Sequence, residues 1–159
     1  GAARERSAAS DQRCLFCSSW GTPAGDDTNL VAHRADDVLV MLNLYPYNGG
    51  HVMVVPRQHA GALPDIPPFE RASMMEAATR ACRAISDLWQ PHGFNLGLNI
   101  GSAAGAGIPE HVHLHIVPRW RGDTNFMSTV GGTRVISQDL QQAHRQLAEA
   151  MHRPRGPHS

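Results

Sequence analysis

Residues 111–117, His-Val-His-Leu-His-Ile-Val, alternate imidazole and aliphatic side chains without a break and run into Pro118. Alternation at period two marks a β-strand, in which successive side chains point to opposite faces. The spacing predicts a strand over 110–117, stopped by Pro118. Val112, Leu114 and Ile116 then face the core, and His111, His113 and His115 stand in a row on the other face, roughly 6.6 Å apart. Three readings fit such a row. It can be the polar outer face of an edge strand, or a metal site, although a closed tetrahedral site wants ligands from elsewhere. It can also serve nucleophilic catalysis by imidazole. The loop just upstream, Gly-Ser-Ala-Ala-Gly-Ala-Gly over 101–107, supplies the third reading with a substrate. Small residues let backbone amides approach a phosphate closely. A neutral imidazole nitrogen can attack phosphorus, forming a phosphoramidate that a second nucleophile breaks.

Composition narrows the remaining classes. The 159 residues fit one domain around a single core. Fourteen basic and fourteen acidic residues cancel, which argues against a nucleic-acid binder held by phosphate contacts and against a polybasic membrane-surface protein. Every basic residue is Arg, so Schiff-base and pyridoxal-anchoring lysines are excluded, as is the lysine-containing phosphate loop. Ten residues are His, the side chain that titrates near neutrality and ligates metals. No apolar stretch approaches the roughly 20 residues of a membrane span, and Gly1 to Arg13 lack the apolar centre of a signal peptide. A cytoplasmic location is therefore expected.

The fold class predicted is α+β, with a mostly antiparallel sheet of about five strands. Leu30–Ala35 and Val38–Asn43 read as a hairpin turning at Asp36-Asp37, followed by a turn-rich stretch to Gly50 and a strand over His51–Pro56. Phe94–Ile100 is a further strand. One long helix is expected over Pro68–Gln90, with Phe69, Ala72, Met75, Ala78, Cys82, Ile85, Leu88 and Trp89 inward. A C-terminal helix is expected over Ser137–Met151, with Ser137 as its N-cap. Residues 1–13 are expected to be disordered or to come from cloning, 14–151 to form the domain, and 152–159 to be a flexible tail. His33, His92 and His144 stand in no constellation and are expected at the surface or in turns.

Cys14 and Cys17 form a C-x-x-C, too close together to staple a long loop and spaced as half of a zinc site. His59 and His111 could complete it; two reduced thiols are the alternative. Cys82 falls in the helical pattern, as a buried thiol would.

The segment 111–117 resembles the signature of the histidine triad (HIT) nucleotide hydrolases and transferases. The resemblance extends through Cys14-Leu-Phe-Cys17, Leu42 to Pro56, Pro91 to Asn95 and Pro118 to Phe126. It is strongest toward the bacterial branch that contains diadenosine tetraphosphate phosphorylases. It implies a HIT-like fold, a homodimer, and cleavage of the phosphoanhydride of a dinucleoside polyphosphate through a covalent nucleotidyl-histidine. His113 would be the nucleophile, with His115 and His51 orienting it and stabilising charge. Asn43 would hold the ribose hydroxyls, and Asn99, Ser102 and Gly107 would contact phosphate. Trp120 would pack on nucleotide or across a subunit boundary, or simply be buried after its strand. Structural zinc on Cys14, Cys17, His59 and His111 also follows from the resemblance. Familiar dinucleotide hydrolases of the family carry Gln four residues before the first His, where this chain has Gly107. The departure favours an acceptor other than water, such as inorganic phosphate. Within the family a nucleoside phosphoramidase is the alternative; outside it, a nucleotide-binding regulatory module with little turnover, or a zinc-based structural adaptor.

Overall fold

The computed structural model describes residues 14–43, 50–122 and 132–153. The expectations for residues 1–13, for the turn-rich stretch 44–49 and for the tail beyond Arg153 fall outside these. A short helix, α1 (Leu15–Gly21), leads through a 3-10 turn and a single helical turn, α2 (Asp26–Asn29), into the sheet. The strands are β1 (Val31–Arg34), β2 (Val38–Leu42), β3 (Val52–Pro56), β4 (Gly93–Leu98) and β5 (Leu114–Arg119). A long helix, α3 (Pro68–Trp89), separates β3 from β4, and α4 (Gly132–His152) follows β5. The five strands form one sheet in the order β1-β2-β3-β5-β4, and every pairing is antiparallel. The chain is thus α+β, as expected.

β2 and β3 are buried at every position, and the reason is that both faces of the sheet are covered. Val38, Val40, Leu42, Val52 and Val54 join Val112, Leu114 and Ile116 in the core under α3 and α4. Their alternates Leu39, Met41, Met53 and Val55 pack instead against Cys14 and Phe16 of the N-terminal arm. Continuous apolar runs are what a strand buried on both faces requires. His115 pairs with Met53 across the β3–β5 ladder, and the histidine row lies on the arm side.

Three local expectations shift. The ladder of β5 begins at Leu114, not at 110, because Val112 N–H bonds instead to the Ala60 carbonyl at 2.8 Å. β5 also continues through Pro118 to Arg119; β3 has ended by then, and only β4 pairs at that level. Ser137 does not cap α4, which begins at Gly132.

The N-terminal half of α3 is rotated from its expected phase. Phe69, Ala72 and Met75 face outward, and the buried stripe is Glu70, Met74, Ala77, Ala78, Ala81, Ala84 and Ile85. Its alanines let the helix lie close on the sheet. Glu70 is buried because its Oε1 accepts the Gln58 N–H at 3.0 Å. His144 is not a surface residue: it is buried, and its Nε2–H donates to the Val31 carbonyl at 2.8 Å, fastening α4 to the edge strand β1. His33 is half-buried, 3.4 Å from the Arg80 guanidinium. At the entry to β3, Gly50 has φ 79°, and a Cβ there would lie 3.0 Å from the Trp89 ring. Only glycine satisfies both demands.

Ala81 is fully buried at the helix–sheet contact. Leu has nearly the helix propensity of Ala, so Ala81→Leu isolates overpacking; we expect a loss of about 1–3 kcal/mol, read as a lower midpoint in urea.

Candidate active site

The arm and the start of β5 enclose two adjoining constellations on one face of the sheet. In the first, Asn43 Nδ2 lies 3.3 Å from His51 Nδ1, and His51 Nε2 lies 2.9 Å from His115 Nδ1. The Asn43 amide can only donate to His51 Nδ1. The proton of His51 is therefore on Nε2 and donates to His115 Nδ1, which leaves the His115 proton on its own Nε2. His113 Nδ1–H donates to the backbone carbonyl of His111 at 2.9 Å. That bond places the His113 lone pair on Nε2. The His113 ring stands 4.6 Å from that of His115, and the rings of His51 and His115 are 5.1 Å apart.

These imidazoles are neutral at neutral pH. Burial, and then the proximity of His115 and His113, hold His51 down to about 4. Burial and the neighbouring His113 hold His115 down to about 4. For His113, burial outweighs the opposing bond to the His111 carbonyl, and its pKa is lowered as well. A neutral ring with one nitrogen tied to a carbonyl and the other unprotonated is the form that can act as a nucleophile.

The second constellation is a Cys/His cluster. The ligating atoms of Cys14, Cys17, His59 and His111 all lie within 4.8 Å of one another. Cys14 Sγ and Cys17 Sγ are 3.5 and 3.6 Å from His111 Nδ1, and Cys17 Sγ is 3.2 Å from His59 Nδ1. A tetrahedral zinc with ordinary Zn–S and Zn–N bonds places such atoms about 3.6 Å apart. His111 Nε2–H donates to the Pro56 carbonyl at 2.8 Å, so its Nδ1 lone pair is directed at the sulfurs, the arrangement that metal-ligating histidines adopt. The donor set thus fits a four-coordinate soft metal. The close approach of the two histidine-bearing loops needs Gly61, where a Cβ would stand 2.8 Å from the Pro109 carbonyl.

A cleft of about 470 Å³ opens over the first constellation. Of the residues expected at the site, Asn43, Asn99, Gly107, His113 and His115 line it. His51 is buried behind His115. Ser102 is exposed in the adjacent loop and is not among the lining residues. Trp120 stands apart from the cleft, with its Nε1–H on the Trp89 carbonyl at 3.3 Å. The arm supplies lining that the sequence reading did not single out: Leu15, Phe16, Ser19, Thr28 and Asn29. Phe16 could have been noticed as the aromatic inside Cys14-Leu-Phe-Cys17; nothing in local pattern marks Thr28 or Asn29.

Comparison with known proteins agrees with this geometry. The HIT domain family matches residues 25–122. The chain is 47% identical over 123 residues to a Mycobacterium tuberculosis protein named AP-4-A phosphorylase, covering 77% of this chain and 63% of that protein. It therefore spans under two thirds of that relative's length. Among solved structures, a Zn-bound histidine triad family protein from Mycobacterium smegmatis matches with a TM-score of 0.71 at 29% identity, over 89% of this chain and 94% of that one. A hypothetical histidine triad nucleotide-binding protein from Sulfolobus tokodaii matches with a TM-score of 0.70 at 25% identity, over 91% and 98%.

Because His51 and His115 titrate at about 4 in the fold and near 6.5 in an unfolded chain, the unfolded chain binds more protons between those values. Their contribution to stability is complete above about pH 6.5 and is lost as pH falls toward 4. At pH 5.5, where an ordinary imidazole is mostly charged, nitrogen NMR of both rings is expected to show neutral imidazoles.

Proposed function

The chain belongs to the histidine triad family, and from that premise we propose that it is a nucleotidyl hydrolase or transferase that cleaves the phosphoanhydride of a dinucleoside polyphosphate, with inorganic phosphate as the favoured acceptor. The observation that carries this reading is the His113 ring, neutral, lining the cleft, and bonded through Nδ1–H to the His111 carbonyl. Its Nε2 lone pair attacks the α-phosphorus. The N–P bond forms as the bond to the bridging oxygen breaks, and the nucleoside polyphosphate leaves with the electron pair. His115, its proton on Nε2, donates to the oxygen on which charge develops, while His51 and Asn43 hold its orientation. Preorganised donors of this kind stabilise the transition state without reorganising at the moment of reaction. Amides of the 101–107 loop and the Asn99 side chain serve the phosphate oxygens, and Asn43 also serves the ribose. In the second step an acceptor oxygen attacks the phosphoramidate and restores neutral His113.

Gly107 supports phosphate as the acceptor. It lines the cleft, and a Cβ added there would meet nothing within 4 Å. The place where the family's hydrolases carry Gln is therefore open space. Zinc on Cys14, Cys17, His59 and His111, when bound, supplies a closed cross-link between the arm, the turn after β3 and the start of β5. The name of the M. tuberculosis relative and the Zn-bound M. smegmatis structure support these readings. A homodimer would pair the exposed edge at β4, where Leu96 is 44% exposed.

Turnover of diadenosine tetraphosphate with and without inorganic phosphate tests this function. ADP plus ATP formed only with phosphate is the expected result; AMP plus ATP in both conditions would indicate hydrolysis. His113→Ala is expected to lower turnover by roughly 10³-fold or more with the thermal midpoint retained, and undiminished turnover would refute the mechanism. Gly107→Gln is expected to shift product toward AMP plus ATP.

A further inference from the structure

The first turn of α1 has no side-chain cap at Cys14; its start is held by the contact of Cys14 Sγ with His111 Nδ1 and by the packing of Cys14 and Phe16 on Leu39, Met41, Met53 and Val55. Between the two cluster sulfurs in sequence stands Phe16, 1% exposed. Its ring packs on two imidazoles at once. The centroid of His111 is 5.4 Å away with the rings at 69°, and that of His113 is 4.7 Å away at 53°. These are ordinary distances for attractive aromatic pairs. His115 contacts the same His113 ring at 4.6 Å. The bond from Nδ1–H to the His111 carbonyl fixes one edge of His113, and the rings of Phe16 and His115 pack against the rest of it.

The far end of the same helix is fastened independently of the cysteines. Trp20 Nε1–H donates to the Pro56 carbonyl at 3.2 Å, and Arg34 donates to the Ser19 and Trp20 carbonyls at 2.7 and 3.1 Å. Emptying the cluster would loosen the Cys14–Cys17 end of the arm while the other end stays docked. Phe16 lies in the part that loosens.

We propose that Phe16 is a positioning residue that couples the Cys14/Cys17/His59/His111 cluster to the ring of His113: a metal in the cluster fixes Phe16, and Phe16 fixes the nucleophile. This rests on His113 being the nucleophile and gives the metal no part in the reaction itself. A reacting nitrogen displaced by a fraction of an ångström slows attack while substrate still binds. Phe16 also lines the cleft, and a role confined to binding would raise KM and leave kcat alone.

The test is a cycle of Phe16→Leu against zinc removal in the full chain. With zinc loaded, the variant is expected to keep its zinc content and remain folded with a modestly lowered thermal midpoint, while its single-turnover rate with diadenosine tetraphosphate, measured well below that midpoint, falls on the order of 10-fold. Diethyl pyrocarbonate modification of His113, read by mass spectrometry of its peptide, should change with it. Chelation should slow the unsubstituted protein by a similar factor and slow the variant little further, since coupled perturbations are not additive. Slowing factors that multiply, or a zinc-loaded variant with an unchanged rate, would overturn the coupling. Should chelation unfold the chain, nitrogen NMR of the zinc-loaded variant decides: His113 ring resonances displaced from those of the unsubstituted protein support the coupling, and unmoved resonances overturn it. Turnover by His113→Ala would instead overturn the nucleophile assignment, so the two failures are distinguishable.

Discussion

His111 is completely buried, and all its polar atoms are committed. Its N–H bonds to the Ile108 carbonyl, its Nε2–H to the Pro56 carbonyl, its Nδ1 faces the sulfurs of Cys14 and Cys17, and its own carbonyl accepts Nδ1–H of His113. Leaving one such buried group unpaired costs about 1–3 kcal/mol, so the residue has a single tautomer and orientation open to it. Both constellations depend on that choice. With Nε2 protonated toward Pro56, Nδ1 is available to ligate a metal; with the carbonyl turned to His113, that ring carries its lone pair on Nε2. His111 thus has no polar atom left over for chemistry, and in the proposed mechanism the chemistry falls to its neighbours.

The sheet keeps these roles apart by alternation. Val112, Leu114 and Ile116 are part of the core beneath α3 and α4, and the imidazoles between them are covered by the arm or open to the cleft. Crowding several imidazoles into one half-buried space would be costly if they were charged. Desolvation therefore lowers the pKa of His51, His113 and His115 together, and for His51 and His115 the neighbouring imidazoles reinforce it. The electrostatic consequence of packing them is also the chemical requirement, because a protonated imidazole has no lone pair with which to attack phosphorus.

Much of this was legible in the chain. The alternation at 111–117 specified which histidines share a face, and the hairpin at Asp36-Asp37 and the strand ending at Pro56 were readable from local pattern. The spacing of Cys14 and Cys17 marked half of the Cys/His cluster. What local pattern could not say is what covers each face. Phe16 meets His113 across nearly a hundred residues of sequence, and no periodicity records that contact. The same limit explains α3, where Phe69 and Met75 continue an apolar rhythm but point outward, and Glu70 is buried because Gln58 waits there with an N–H. It also explains His144, unremarkable in sequence and buried in the fold because β1 offers it a carbonyl.

The central claim, that His113 carries the nucleotidyl group between the two half-reactions, is tested most directly by trapping the carrier. The protein is mixed with diadenosine tetraphosphate without added phosphate, quenched in alkali within the first turnover to preserve a phosphoramidate, and digested for peptide mass mapping. An adenylyl group on His113 is the predicted result. An adenylyl group on any other residue, with His113 unmodified, would contradict it.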